Sequence, residues 1–272
     1  MAVISRITTQ KKNSERYNIF LDDGAGETYG FSVNEAVLIK YRLRKGMQLD
    51  DSLMIDIKRD DAAQKAYALA INYLSYRMRT KQEVYDYLQK KAVDEADIAR
   101  VMKKLEVNGL LDDAAFAEAF VNTRMRSSTK GPRLVKQELQ EKGVSLSVAE
   151  AAIDAYTFEI QYEKAKKWAA QKLSRNTKQA FKKQLAHLQS SLLRKGFTPD
   201  VIEQVVQEFQ NMRDDDAEWK ALEHHGKKLL KKHQDRLSGA ALKQKMKEAL
   251  YRKGFSLEQI HRYLHTSIDD KG

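Results

Sequence analysis

The segment Leu139-Gln140-Glu141-Lys142-Gly143-Val144-Ser145 decides the fold, because it recurs. Its pattern returns as Leu88-Gln89-Lys90-Lys91-Ala92-Val93-Asp94, Leu192-Leu193-Arg194-Lys195-Gly196-Phe197-Thr198 and Leu250-Tyr251-Arg252-Lys253-Gly254-Phe255-Ser256, with steps of 51, 53 and 58 residues between successive leucines. Four residues before each leucine stands Val84, Val135, Leu188 or Met246, one helical turn back on the same face. A helix therefore leads into every copy. Lysine occupies its last turn, where a cation suits the negative end of the dipole, and glycine follows where the chain turns left-handed to stop; Ala92 departs from this in the first copy.

Two residues beyond the glycine position comes Asp94, Ser145, Thr198 or Ser256, each a good N-cap, so a second helix starts at once. The residue before each cap (Val93, Val144, Phe197, Phe255) and the residue four after it (Ile98, Ala149, Ile202, Ile260) have the spacing of a hydrophobic staple, which sets the angle between the helices. Upstream of each pair lies another amphipathic segment: Ala66 to Tyr76, Ala114 to Met125, Tyr162 to Leu173 and Trp219 to Leu230. The expected fold is mostly α, with four tandem three-helix repeats forming an elongated array. The boundaries are drawn at 61–111, 112–160, 161–213 and 214–272, with junctions at Lys58 to Asp61, Asn108 to Asp113, Thr157 to Gln161 and Met212 to Ala217.

Residues 1–60 read differently, as a small β-rich module. Residues Val3 to Thr8 alternate with period 2, and Tyr17 to Leu21 is a β-prone run that ends at Asp22-Asp23-Gly24, a hairpin signal, with Thr28 to Phe31 as the return strand. The alternation Leu53, Ile55, Ile57 predicts a further strand over Ser52 to Ile57. Ser32-Val33-Asn34-Glu35 has the spacing of a capping box and predicts a short helix through Leu38 and Tyr41.

Composition narrows the function. The chain of 272 residues has no cysteine, which leaves no disulfide framework, thiolate metal site or cysteine nucleophile. No apolar run approaches the ~18 residues of a membrane span, and Met1 to Gln10 does not read as a secretory signal, so a cytoplasmic protein without membrane contact is expected. The net charge of +11 is uneven: residues 161–272 hold 24 Lys and Arg against 14 Asp and Glu, whereas the first 160 residues are close to neutral. A basic half suits polyanions or an acidic protein surface, with an attraction that fades in salt.

No catalytic constellation emerges, and an enzyme, a cofactor and a metal are not expected. Asp112 follows a glycine stop and precedes a helical stripe, which makes it an N-cap, not half of a carboxylate pair. Gly24-Ala25-Gly26 lacks the residues of a phosphate loop and reads as a hairpin tip. His261 and His265 share a helix face without an acidic partner at metal-site spacing, and His224 and His225 fare no better. A DNA-reading helix-turn-helix is disfavoured because the second helices start with Glu95 and Asp97, Leu146 and Ser147, Pro199 and Asp200, and Leu257 and Glu258, leaving Gln259 as the one base reader. Trp168, Trp219, Phe116 and Phe120 fall on apolar stripes and read as core. Lys227, Lys228, Lys231 and Lys232 form a cationic helix face that a solvated helix back explains nearly as well as a ligand does.

The run Gly109-Leu-Leu-Asp112-Asp113-Ala-Ala-Phe116, followed by Arg124-Met-Arg126 and Lys130-Gly131-Pro132-Arg133-Leu-Val-Lys136-Gln-Glu138-Leu139, resembles the central signature of the RecX family of recombination regulators. The resemblance extends over roughly residues 62–210; the N-terminal module and fourth repeat are those of the longer members. It implies a non-enzymatic regulator in DNA repair, homologous recombination and the SOS response. Members bind the RecA filament on single-stranded DNA and restrain strand exchange, ATP hydrolysis and coprotease activity. The partner expected from the resemblance is the RecA filament, with single-stranded DNA as a further ligand, and the chain is expected to be a monomer. The residues expected at the contact are Arg77, Arg79 and Lys81 in the first repeat, Arg124, Arg126, Lys130, Arg133 and Lys136 in the second, and the motif lysines Lys142, Lys195 and Lys253. The alternative is a helical repeat protein that binds single-stranded nucleic acid without sequence preference.

Overall fold

Residues 2–11, 13–174, 178–212 and 214–268 are described by the computed structural model. Strands β1 (Ala2–Gln10), β2 (Asn13–Asp22) and β3 (Glu27–Asn34) form an antiparallel meander, with Ile19 opposite both Ile7 and Phe31. Helix α1 (Glu35–Lys40) follows, capped by Asn34, whose side chain accepts from the Ala36 N–H. Ser32, expected to cap it, stays in β3. The fourth strand, β4 (Gln48–Leu49), pairs with the start of β1, giving the order β3-β2-β1-β4. The inner faces of this sheet, led by Ile4, Ile19, Phe31 and Val33, are buried together with Val37 of α1.

Ser52–Ile57 is not a strand. It opens helix α2 (Asp51–Leu74), whose N-cap Asp50 accepts from the Leu53 N–H at 2.7 Å. The three alternating apolar residues also fit a helix: Leu53, Met54 and Ile57 pack on the sheet core, while Ile55 stays exposed. The helix continues through Lys58–Asp61, where a junction was expected, and Asp61 fastens it to the sheet. The buried Asp61 carboxylate accepts from the Arg16 guanidinium at 3.0 and 3.2 Å and from the Asn34 N–H at 2.7 Å.

Beyond Asp61 the described chain is helical, in thirteen helices overall with α1 and α2. The first repeat packs α2 against α3 (Lys81–Lys90) and α4 (Glu95–Val107) around Ala66, Ala70, Val84, Leu88, Ile98, Val101 and Leu105. The second comprises α5 (Asp113–Ser127), α6 (Pro132–Glu141) and α7 (Leu146–Ile153), on which Phe116, Val121, Val135, Leu139 and Ala149 are buried. The third builds its core from α8 (Phe158–Ser174), α9 (Phe181–Arg194) and α10 (Pro199–Gln210), and the fourth from α11 (Asp215–His233), α12 (Gly239–Arg252) and α13 (Leu257–Ile268). The apolar positions of the repeated motif are the core in both: Leu188, Leu192, Phe197 and Ile202, then Met246, Leu250, Phe255 and Ile260. Two compact units result, one running to Ala117 and taking in Gln140–Val148, the other holding Glu118–Leu139 and the chain from Ala149 on.

Within each unit, successive repeats join in one way: the Lys-Gly turn of a repeat lies against the first turn of the preceding repeat's middle helix. In the first unit the Thr80 hydroxyl, at the head of α3, donates to the Lys142 carbonyl at 2.6 Å. In the second, the Gly131 and Arg133 N–H groups at the head of α6 donate to the carbonyls of Lys195 and Gly196 at 2.7 and 3.1 Å, and Gly254 lies beside Ala180 and Lys183 at the head of α9. Helix N-termini have orphan N–H donors, and turn carbonyls suit them. A carboxylate from the following repeat completes two of these joints: Asp113 accepts from the Lys81 N–H at 2.9 Å and Glu218 from the Phe181 N–H at 2.8 Å. At the remaining joint the first helical residue is Pro132, which has no N–H, and the side chain there is the neutral Gln161. Its amide oxygen accepts instead from the N–H and hydroxyl of Thr198. Thr198 was expected to cap α10 with its side chain; that hydroxyl is taken up by Gln161.

Candidate functional site

The loop between α2 and α3 and the loop between α5 and α6 occupy the same place in their repeats, and both gather cations around a glutamate of the next helix. In the first repeat, Arg77 grips Glu83 with its two terminal guanidinium nitrogens, Nη2 at 3.0 Å and Nη1 at 3.2 Å, and Lys142 reaches the same carboxylate at 3.0 Å. Burial works to raise the Glu83 carboxyl, but the hydrogen bonds from Arg77 and Lys142 outweigh it and hold the group below the ordinary range. Arg79 lies over the Tyr73 ring at 4.0 Å, and Lys81 pairs with Glu106 at 3.1 Å.

The second cluster is denser. Arg124 donates from Nε to Glu138 at 2.7 Å, and Lys130 bonds the other oxygen of that carboxylate. Here too burial pushes the Glu138 carboxyl up, and Lys130 and Arg124 together hold it low. Lys195 enters from the third repeat, donating to the Thr129 hydroxyl at 2.8 Å with its ammonium 4.9 Å from the Trp168 ring. Burial, and then the charges of Lys130 and Lys172, depress the Lys195 pKa. Lys164 donates to the Arg124 carbonyl at 3.1 Å and is also depressed by burial. Arg124, Lys130, Lys164, Lys172 and Lys195 therefore converge on one surface with Glu138 as the carboxylate among them.

Of the remaining expected residues, Arg126 is exposed and has no ion pair among the described residues. Arg133 is exposed on α6, where its charge acts on Asp200, and Lys136 pairs with Glu150 at 3.2 Å. Lys253 sits near His225, which burial and then the Lys253 charge hold below the usual imidazole range. The structure thus brings Arg124, Lys130 and Lys195 together and places Lys142 in the joint between the first two repeats, on Glu83. Lys164 and Lys172 were missed. They stand four residues on either side of Trp168, one helix face alternating cation, aromatic and cation, and that spacing was the available signal. Phe116 is core as expected, and Trp168 and Trp219, half-buried, pack against the cores of the third and fourth repeats; like the half-buried Phe120, each lies beneath a cation: Lys195 over Trp168, Arg262 over Trp219 and Arg124 over Phe120. Asp112 caps α5, accepting from the N–H groups of Ala114 and Ala115.

Sequence models of RecX domains match most of the chain: the RecX N-terminal domain over residues 2–50, the first three-helix domain over 66–105, the second over 112–153, and the third twice, over 159–206 and 216–264. The chain belongs to the RecX family of regulatory proteins. Regulatory protein RecX of Oceanobacillus iheyensis is 48% identical over 273 residues, covering 100% of both chains. Regulatory protein RecX of Halalkalibacterium halodurans is 45% identical over 265 residues, covering 97% of this chain and 100% of its own. A crystal structure of regulatory protein RecX superimposes with a TM-score of 0.67 at 36% identity, covering 75% of this chain and 98% of that one. The RecX structure from Lactobacillus salivarius gives 0.54 at 36% identity, over 56% of this chain and 98% of its own. The RecX third-domain match occurring twice makes the fourth repeat a second copy of the third. Among the described residues no helix is long and apolar enough to cross a membrane.

Proposed function

We propose that this RecX-family regulator binds the RecA nucleoprotein filament and restrains its recombination, ATPase and coprotease activities, acting as a cytoplasmic monomer without catalysis of its own. The observation that carries the reading is the cluster around Glu138, where Arg124 and Lys130 of the second repeat share one carboxylate, Lys195 of the third repeat reaches Thr129 and Lys164 reaches the Arg124 carbonyl, with Lys172 close enough for its charge to act on Lys195. Like charges held together cost stability unless a ligand neutralises them, so the surface is built for an acidic or phosphate-bearing partner. Arg126, Arg133 and Lys136 belong to the same repeat as Arg124 and Lys130, and Arg77, Arg79 and Lys81 belong to the corresponding loop and helix start of the first repeat. The excess of cations over carboxylates serves bare single-stranded DNA as well, and that is the second reading.

Equilibrium binding to preassembled RecA filaments on single-stranded DNA, beside free RecA and bare DNA at two salt concentrations with ATP turnover recorded, separates them. Preference for filament with suppressed turnover is expected. Equal binding to bare DNA, lost in salt and without effect on turnover, leaves only the nucleic-acid reading.

A further inference from the structure

In the second unit, the joint between the third and fourth repeats encloses a cleft of about 800 Å³. Phe181 and Leu185 of α9 line its apolar side, half-buried, with the buried Phe255, and Tyr251 stands at the rim, 59% exposed. Lys182, Lys183 and Arg252 ring it, all exposed, and among the described residues none of the three forms an ion pair or side-chain hydrogen bond. The one carboxylate in its lining, Glu218, is buried and accepts from the Phe181 N–H.

The corresponding cleft between the second and third repeats differs in charge. There Arg133 and Lys136 are balanced by Glu150 and Asp154, and Lys136 is already paired with Glu150. The cleft between the third and fourth repeats has no such balance: Glu218 is the one carboxylate in its lining.

We infer that the cleft between the third and fourth repeats docks an extended acidic peptide segment of a partner protein, with a bulky apolar side chain on Phe181, Leu185 and Tyr251 and flanking carboxylates on Lys182, Lys183 and Arg252. Charge complementarity selects the acid, and the apolar lining selects the anchor. A peptide suits this cleft better than a single nucleic-acid strand for two reasons. A phosphodiester chain carries a charge at every residue and would pass the Glu218 carboxylate, whereas a peptide sets its apolar group there and keeps its charges at the rim. The exposed rim also offers a single aromatic, Tyr251, where strand binding uses successive stacking platforms. Gln259 adds a peptide contact: its amide oxygen accepts from the Ser256 hydroxyl, leaving its N–H groups for a backbone carbonyl.

The test is fluorescence anisotropy of a short labelled Asp/Glu-rich peptide with one central Phe, titrated with the full chain at low salt. Its controls are the same peptide with Asn and Gln for the acids, the peptide with Ala for Phe, and a single-stranded oligonucleotide. The Lys182→Glu/Arg252→Glu variant should weaken the acidic peptide by about tenfold or more. Tyr251→Ser should weaken the Phe peptide while leaving the Ala peptide unchanged. Circular dichroism checks that both variants keep their helix content. Equal affinity of wild type and both variants for the peptide overturns the inference, as does an oligonucleotide that binds more tightly than the peptide and loses affinity in the same variants.

Discussion

Gly143 lies so close to Gln82 that a Cβ on the glycine would stand 2.2 Å from the Gln82 Cβ. The glycine of the repeated motif therefore has two duties: its φ of +83° stops one helix, and its bare Cα lets the turn pack on the preceding repeat. Gly196 repeats the arrangement against the Leu134 N atom at 2.7 Å. Ala92, in the first copy, takes φ +56° and is exposed, so only the first duty applies there.

Two substitutions at equivalent positions should consequently behave in opposite ways. Gly143→Ala combines a left-handed backbone with overpacking against α3 and should cost about 2–4 kcal/mol. Ala92→Gly removes left-handed strain of about 1–2 kcal/mol and adds roughly 0.5–1 kcal/mol of chain entropy, for a net change between zero and a slight gain. Urea unfolding of the two variants measures both; a Gly143→Ala loss below about 1 kcal/mol would show that the turn does not pack on Gln82 as described.

Thr80 holds that same joint with one hydroxyl, accepting from the Glu83 N–H at 3.1 Å while donating to the Lys142 carbonyl. It is fully buried, and Thr80→Ala removes a cap and leaves the carbonyl without its donor, for an expected loss of about 2–3 kcal/mol. Thr80→Ser keeps both bonds and should recover most of it. Native-state hydrogen exchange gives an independent readout, with amides of 140–148 exchanging faster in the alanine variant only.

The parts of this fold that were legible in the sequence are those set by neighbours in the chain. Apolar spacing, the lysine and glycine at the helix stop and the caps at Asp94, Ser145 and Ser256 act over a few residues, and each repeat supplied another reading of the same pattern. Ser52–Ile57 misled because three alternating apolar residues fit a strand and a helix face equally, and the deciding group, the Asp50 cap, lay outside the run. Cation destinations were not legible. Lys142 and Lys195 look like solvated helix ends until the fold carries them 59 and 66 residues away to Glu83 and Thr129. Thr80 with Glu83 spells a capping box and was there to be read.

The Asp61 carboxylate links the N-terminal sheet to α2, and its titration should be visible in the acid stability of that unit. Burial acts to raise its pKa, and Arg16, Lys65 and the Asn34 N–H together bring it below the ordinary value. A folded-state pKa below the unfolded one means that its contribution is complete above the unfolded pKa of about 3.9 and is lost as pH falls through the folded value. Asp61→Asn should lower stability at neutral pH by about 3–5 kcal/mol, because it leaves the Arg16 guanidinium, itself largely buried, without its counter-charge. The variant's stability should also be flatter than that of the wild type between the folded pKa and about pH 5. Identical acid limbs in thermal melts of the two proteins would remove Asp61 as the responsible group.

Glu138 is the counter-charge of the basic surface, and neutralising it separates structural from binding roles there. In Glu138→Gln, Arg124 and Lys130 lose a partner that is mostly buried, so stability should fall by about 1 kcal/mol. The freed cations should raise affinity for a polyanion such as heparin or single-stranded DNA. They should also steepen the salt dependence, by up to about 0.7 per added phosphate contact on logarithmic axes for a single strand. Arg124→Glu should do the reverse, lowering affinity and flattening the slope. If the cluster of Arg124, Lys130 and Lys195 only braces the second and third repeats against each other, Glu138→Gln loses stability and its affinity and salt slope stay where they were.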